Sequence, residues 1–283
     1  MKPLPGRLVL LGHPVRHSLS PAFQNAALRS AALPLQYEAV DVPPDRLEDT
    51  LGALVAARAA GNVTIPHKER VAARCTHLTP LAARVGAVNT FWVQDGELHG
   101  DNTDVGGFRE ALAAAAPNVD RAAPVAVLGA GGAAAAVLTA LEQENFVDVR
   151  LHARTRARAV ALADRFACTR TVGPIEAALD DAALVVNATP VGLDGESIPF
   201  DLALLAPRAV VVDLVVGRNA TPLVRAARAR GHAADDGLEM LLAQGALAFE
   251  RWFGLTPDRS VMRDAVMRDA VMRDADTVDP VAR

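Results

Sequence analysis

The chain has 283 residues, 51% of them apolar, and a formal net charge of −4. That length accommodates two ordinary domains with a sizeable core, and the acidic balance excludes a general affinity for nucleic acid or anionic membrane. No apolar run approaches the roughly 20 residues of a membrane span, and the opening Met1-Lys2-Pro3-Leu4-Pro5 lacks the basic-then-apolar layout of a signal peptide.

Alternating strands and helices are predicted along the first third. Leu8-Val9-Leu10-Leu11-Gly12 reads as a short buried strand, and a loop through Ser20-Pro21 opens a helix with proline at the first helical position. Residues 36–42 form a second strand and the alanine-rich 47–60 a helix. Gly61-Asn62-Val63-Thr64-Ile65 is a third strand, ended by Pro66. Residues 88–93 and 97–99 flank Asp95-Gly96 as a hairpin. This βα order predicts a mostly parallel sheet.

A helix over 105–115 and a connection over 117–124 lead into a second series. It comprises strand 125–128, helix 133–144, strand 147–153, helix 156–166, strands 184–187 and 210–215, and helix 221–230. That succession is Rossmann-like. A helix over 237–254 follows. Val-Met-Arg-Asp-Ala then occurs three times, at 261–265, 266–270 and 271–275. A five-residue period advances about 140° per copy on a helix, so the Val-Met pairs build no single stripe. The first copy is expected to end a docked helix and the later copies to extend it.

The two cysteines, Cys75 and Cys168, make no CxxC or metal pattern, so a reduced, cytoplasmic setting and small buried side chains are expected. His13, His17, His67 and His99 have no second ligand at metal spacing along the chain, so no metal is expected.

The strongest single motif is Gly129-Ala130-Gly131-Gly132-Ala133-Ala134, set between the buried strand Val125-Ala126-Val127-Leu128 and an alanine-rich helix. The first glycine permits the tight turn, the second lets the backbone approach a pyrophosphate, and Ala134 stands where helix and strand pack closely. Free N–H groups at the helix start then bind phosphate. An acidic residue at the end of the next strand would hold the ribose hydroxyls of NAD. Arg154, Thr155 and Arg158 stand there instead, which suits the 2′-phosphate of NADP. Asn187 and Thr189 follow another strand, at the sheet edge where ligands collect.

Four N-terminal segments carry polar groups at strand exits or helix entrances. They are His17-Ser18-Leu19-Ser20-Pro21, Asn62-Val63-Thr64-Ile65-Pro66-His67-Lys68, Gly86-Ala87-Val88-Asn89-Thr90 and Asp101-Asn102-Thr103-Asp104. Together they offer hydroxyls, amides, one lysine and carboxylates, a set suited to a small polyhydroxylated acid. The chain holds 27 arginines and only two lysines, Lys2 and Lys68. Taken singly, Asp104 and Ser20 have an ordinary alternative role as helix caps, and Lys68 as a solvated surface residue.

With these segments in order, the chain resembles the shikimate dehydrogenase family from about Gly12 to Gly254. The resemblance also runs through Asn187-Ala188-Thr189, Thr221-Pro222-Leu223 and Asp236-Gly237-Leu238-x-Met240-Leu241-x-x-Gln244. It implies reduction of 3-dehydroshikimate to shikimate with NADPH. It further implies that Ser18 and Ser20 bind the substrate carboxylate and that Thr64, Asn89, Asp104 and Gln244 hold ring hydroxyls. Gly129, Ala130, Gly131, Gly132, Ala133, Arg154, Thr155, Arg158, Asn187, Thr189 and Gly237 are expected at the cofactor. Lys68 and Asp104 would be the catalytic pair. Hydride arriving at a carbonyl carbon creates an alkoxide, which needs a nearby cation and a proton. Lysine supplies both, whereas arginine hardly gives up a proton. Asp104, unprotonated, would orient that ammonium.

The chain also departs from the family pattern. Val216 occupies the place of a usual tyrosine, and Gly217-Arg218-Asn219 replaces a more usual Asn-Pro; Gln24 stands where histidine is common. A quinate-type paralogue and a non-catalytic nucleotide-binding homologue therefore stay open as alternatives. The expected fold class is α/β in two domains, with the site in the cleft between them. Residues 1–104 with 238–283 form a substrate domain with a mostly parallel sheet, to which the C-terminal helices return. Residues 105–237 form a Rossmann-like NADP-binding domain. Monomer and homodimer are equally compatible with the sequence.

Overall fold

A computed structural model describes residues 3–217 and 219–277, with side chains described to residue 269. The chain divides into two units. One holds the residues up to Thr103 together with those from Gly245 onward; the other is Asp104–Gln244.

The first unit contains β1 (Leu8–Gly12), α1 (Ser20–Ser30), β2 (Tyr37–Asp41), α2 (Leu47–Ala56), β3 (Ala60–Val63), α3 (Lys68–Ala72), β4 (His77–Leu78), α4 (Pro80–Val85), β5 (Thr90–Gln94) and β6 (Glu97–Asp101). Its sheet has the order β2-β1-β3-β5-β6-β4. Every residue of β1 is buried, the signature of a strand covered on both faces. Each such Val or Leu contributes about 1.5–3 kcal/mol on burial. The sheet is mixed. The pairs β1–β2, β1–β3 and β4–β6 are parallel, while β3–β5 and β5–β6 are antiparallel. The antiparallel part follows from the expected hairpin, whose turn residues Asp95 and Gly96 both take positive φ.

The second unit contains α5 (Asp104–Ala115), β7 (Val125–Leu128), α6 (Gly132–Gln143), β8 (Val149–His152), α7 (Arg156–Ala163), β9 (Thr169–Thr171), α8 (Ile175–Leu179), β10 (Leu184–Asn187), β11 (Val210–Asp213), α9 (Pro222–Ala229) and β12 (Ala234–Asp235). All strand pairs of its sheet are parallel, in the order β12-β11-β10-β7-β8-β9. That is the doubly wound dinucleotide-binding order, with β7 at the centre and chain reversal between β7 and β10.

Helix α10 (Leu238–Phe253) carries the chain from the second unit to the first. The division falls at Gly245, inside the helix, rather than at 238 where the sequence marked it. The packing explains the place. A side chain on Gly107 of α5 would strike Met240 and Gln244, whereas one on Gly245 would strike the Phe23 ring of α1 at 2.4 Å. Early turns of α10 therefore close on α5, and later turns close on α1. Helix α11 (Arg259–Thr277) spans all three copies of the repeat as one helix. It packs along α1, with Met262, Ala265 and Val266 buried and Met267 exposed. One face of the first copy and the start of the second thus dock, while Met267 faces away. Both cysteines are free and half-buried rather than fully buried. No described helix is long and apolar enough to cross a membrane.

Candidate active site

In the first unit the polar segments collect where strands end. Thr64 and Ile65 lie just beyond β3 rather than within it, because the chain turns there into Pro66; the Thr64 N–H still donates to Leu11 O at 2.7 Å. Lys68 is the first residue of α3 and is half-exposed. Its carbonyl accepts from Val88 N at 2.9 Å, so the backbone beside Asn89 is fixed to the lysine's own peptide. Asn89 is buried. Its amide nitrogen donates to the Thr103 hydroxyl at 3.0 Å, and its oxygen accepts from Thr103 N at 2.7 Å. The next residue, Asp104, is buried and is the first residue of α5. Ser18 lies in the loop before α1. Its hydroxyl accepts from the backbone of Ser20 at 3.2 Å, which gathers both serines at the helix entrance. Ser20 is the first residue of α1 and is buried.

Asn62 was in an expected motif without an assigned role. It is buried, accepts from the Tyr37 hydroxyl at 2.8 Å, and donates to Asn89 O and to the Thr90 hydroxyl. It thereby holds the strand end from which Asn89 is presented. Burial pushes the Tyr37 phenol well above its ordinary range, so it serves as a donor in this chain. Gln24, also buried, donates to Gly245 O at 3.0 Å and so joins α1 to α10.

In the second unit the glycine turn has the expected form. Gly129 takes φ +112°, and a Cβ there would come within 2.7 Å of Ala188 O. Only glycine combines that left-handed φ with so close a backbone. Around Gly131 a Cβ would meet nothing within 4 Å, which leaves open space in front of the start of α6. Helix α6 begins at Gly132, with Ala133 half-buried and Ala134 fully buried against the sheet; Ala130 is half-buried in the turn. Arg154 and Thr155 follow β8 and Arg158 lies in the first turn of α7, all three exposed. A basic α7 start is unfavourable to its own helix dipole. A diphosphate at free helix N–H groups and a 2′-phosphate among exposed guanidiniums are the groups that these residues fit.

Asn187, fully buried at the end of β10, is fixed from three directions. Its amide nitrogen donates to Asp213 Oδ1 at 2.8 Å and to Val191 O at 3.1 Å, while its oxygen accepts from the Thr189 hydroxyl at 2.7 Å. Asp213 is the residue that the sequence reading missed. It also accepts from the Thr221 hydroxyl at 2.6 Å and from Val215 N. Burial raises its carboxyl above the ordinary value, against the lowering effect of these donors, with nearby Asp236 adding to the rise. The available signal was an acidic residue directly after Val210-Val211-Val212, at the end of a wholly apolar strand. Gly237 donates to Val215 O at 3.0 Å, and a side chain on it would strike Leu214 O at 2.3 Å. Val216 is half-buried beside it; Arg218 lies outside the described residues. Gln244, buried on α10, donates to Leu241 O at 2.7 Å.

A model of the shikimate dehydrogenase substrate-binding domain matches residues 10–91, and one of the shikimate 5′-dehydrogenase C-terminal domain matches residues 237–267. The shikimate dehydrogenase (NADP(+)) of Mesorhizobium japonicum is 45% identical over 251 residues, covering 87% of this chain and 90% of its own. The shikimate 5-dehydrogenase of Thermus thermophilus, solved in complex with NADP(H) and shikimate, is 43% identical with a TM-score of 0.82 over 93% of this chain and 99% of its own. A quinate dehydrogenase from Corynebacterium glutamicum in complex with NAD is 31% identical, with a TM-score of 0.84 over 92% and 98% of the two chains.

Proposed function

This chain belongs to the shikimate dehydrogenase family, and from that premise we infer how its own residues perform the family's reaction. The enzyme reduces 3-dehydroshikimate to shikimate reversibly, with NADPH as reductant. We place NADP in the second unit and the enzyme in the cytoplasm.

One observation carries the assignment of roles. The Asn89–Thr103 clasp, with the Val88–Lys68 and Val63–Asn89 backbone bonds, brings Thr64, Lys68 and Asn89 to one end of one sheet. Ser18 and Ser20, at the entrance of α1, take the substrate carboxylate. Thr64, Asn89, Asp104 and Gln244 take ring hydroxyls. The bound nicotinamide supplies the hydride. Lys68 Nζ, as an ammonium, polarises the ketone oxygen and gives it a proton as the alkoxide forms, which leaves a neutral amine to be reprotonated from solvent. Asp104 is the lysine's catalytic partner. The Gly129–Ala133 turn holds the diphosphate, Arg154, Thr155 and Arg158 the 2′-phosphate, and Asn187, Thr189 and Gly237 line the rest of the cofactor's path.

A panel of initial rates tests this reading: shikimate and quinate, each with NADP and with NAD. Shikimate with NADP is expected to give the highest kcat/KM by about tenfold or more, one good polar contact being worth about that much. Equal rates with quinate, or a preference for NAD, would overturn the substrate or the cofactor assignment separately.

A further inference from the structure

The edge of the first unit's sheet carries a second cluster of chemistry. β4 pairs with β6 so that His77 lies directly opposite His99, and β5 on the other flank places Trp92 opposite the same residue. Glu97 is two residues before His99 on β6 and therefore shares its face. The side chains meet accordingly. His77 Nε2 lies 2.7 Å from Glu97 Oε2. The His77 and His99 rings stack with centroids 4.5 Å apart, and Trp92 stacks on His99 at 5.4 Å. One ligand atom from each of His77, Glu97 and His99 can be taken so that all lie within 4.8 Å of one another.

We propose that His77, His99 and Glu97 bind one divalent transition-metal ion of the zinc class. Two imidazoles and one carboxylate are a donor set that zinc takes up with water in its fourth position. Zinc–nitrogen bonds of about 2.0–2.1 Å require the three ligand atoms to draw together. His77 and Glu97 are about half-exposed, at 53% and 49%, so their side chains turn inward at little steric cost. His99, half-buried between two rings, is the ligand already fixed in place. Trp92 behind it is in turn covered by the Arg251 guanidinium of α10, 5.6 Å from its ring centre. The ion joins β4, a strand of only two residues, to β6, and so stabilises the sheet edge. The expectation of no metal rested on spacing along the chain. His77 and His99 are 22 positions apart, and only the strand register brings them together.

Calorimetric titration of the tag-free full-length chain with zinc chloride tests the site. One ion per chain is expected, with affinity reduced about tenfold or more in each of His77→Gln, Glu97→Gln and His99→Gln, since even outer partners of a metal command that range. Copper(II) bound to the wild type should show hyperfine coupling from two imidazole nitrogens in its paramagnetic resonance spectrum. His77→Gln sits on the exposed edge and should keep NADPH-dependent turnover, so lost zinc affinity there is not lost folding. Zinc held by that variant at wild-type affinity, or no saturable zinc binding by the wild type, overturns the proposal.

Discussion

Arg154, Thr155 and Arg158 stand exposed after β8 and at the start of α7, where the two arginines burden the dipole of that helix. Their use is expected to show in cofactor choice. Arg154→Ala with Arg158→Ala should raise KM for NADPH by about tenfold or more, through loss of two charge-assisted contacts, and leave KM for NADH little changed. Equal effects on both cofactors would place the arginines away from the 2′-phosphate. Asp213 makes a different prediction at the same scale. Its folded carboxyl is raised above the ordinary 3.8, chiefly by burial, so the folded chain keeps this proton to higher pH than the unfolded chain does. Stability from this group is therefore present at low pH and is lost as pH rises from about 3.8 through the raised folded value. Asp213→Asn lacks that loss. The variant's thermal stability relative to wild type should improve as pH rises above about 3.8 and level off once pH passes the raised folded value, whatever its constant offset from altered hydrogen bonds. A gap independent of pH would show that Asp213 titrates alike folded and unfolded.

Among the elements, the C-terminal helices brace the first unit. On α10, Arg251 donates to the buried Asp101 at 2.5 Å, and Trp252 Nε1 donates to Phe91 O. Asp101 also accepts from the Thr79 hydroxyl and from Asn102 N, so its charge retains partners if Arg251 is cut. With the arginine itself 43% exposed, Arg251→Ala is expected to cost about 1–3 kcal/mol, the range for a hydrogen bond to a charged group less solvent screening. On α11, Met262 is fully buried, and Met262→Ala should cost about 2–5 kcal/mol by leaving a cavity against α1. Trp92 and Trp252, the chain's two tryptophans, both belong to the first unit. Denaturant unfolding followed by their fluorescence thus reads both variants in that unit; an unmoved midpoint for Met262→Ala would mean that α11 is not needed to hold α1. These helices were only partly legible beforehand. Amphipathic α10 declared itself, but a five-residue period gives no stable stripe, so the docked face of α11 could not be read from pattern. The short strands β4, β9 and β12 were missed for a related reason. Strands of two or three residues carry no alternation to detect, and neighbouring strands recruit them.

Across the whole molecule, the sequence was most legible where backbone chemistry is local. The glycine turn at Gly129 and the type I′ hairpin at Asp95-Gly96 need residue types that nothing else there replaces. The parallel sheet of the second unit followed from its βα alternation, whereas the antiparallel half of the first sheet is set by one hairpin inserted between parallel pairs. Candidate site residues carried by motifs could be named, including Lys68, the internal lysine of an arginine-rich chain. Residues that act by holding others, such as Asn62 and Asp213, became visible only through their partners. So did the His77–His99 pair, which depends on register. The assignment of proton chemistry to Lys68 is tested most directly by measuring 3-dehydroshikimate reduction and NADPH binding on the same preparations of wild type and Lys68→Ala. The expected result is turnover by the wild type, a kcat about 10²–10⁴ lower in the variant, and an NADPH affinity within about twofold of wild type because that cofactor's contacts are untouched. Near-normal turnover by Lys68→Ala would contradict it.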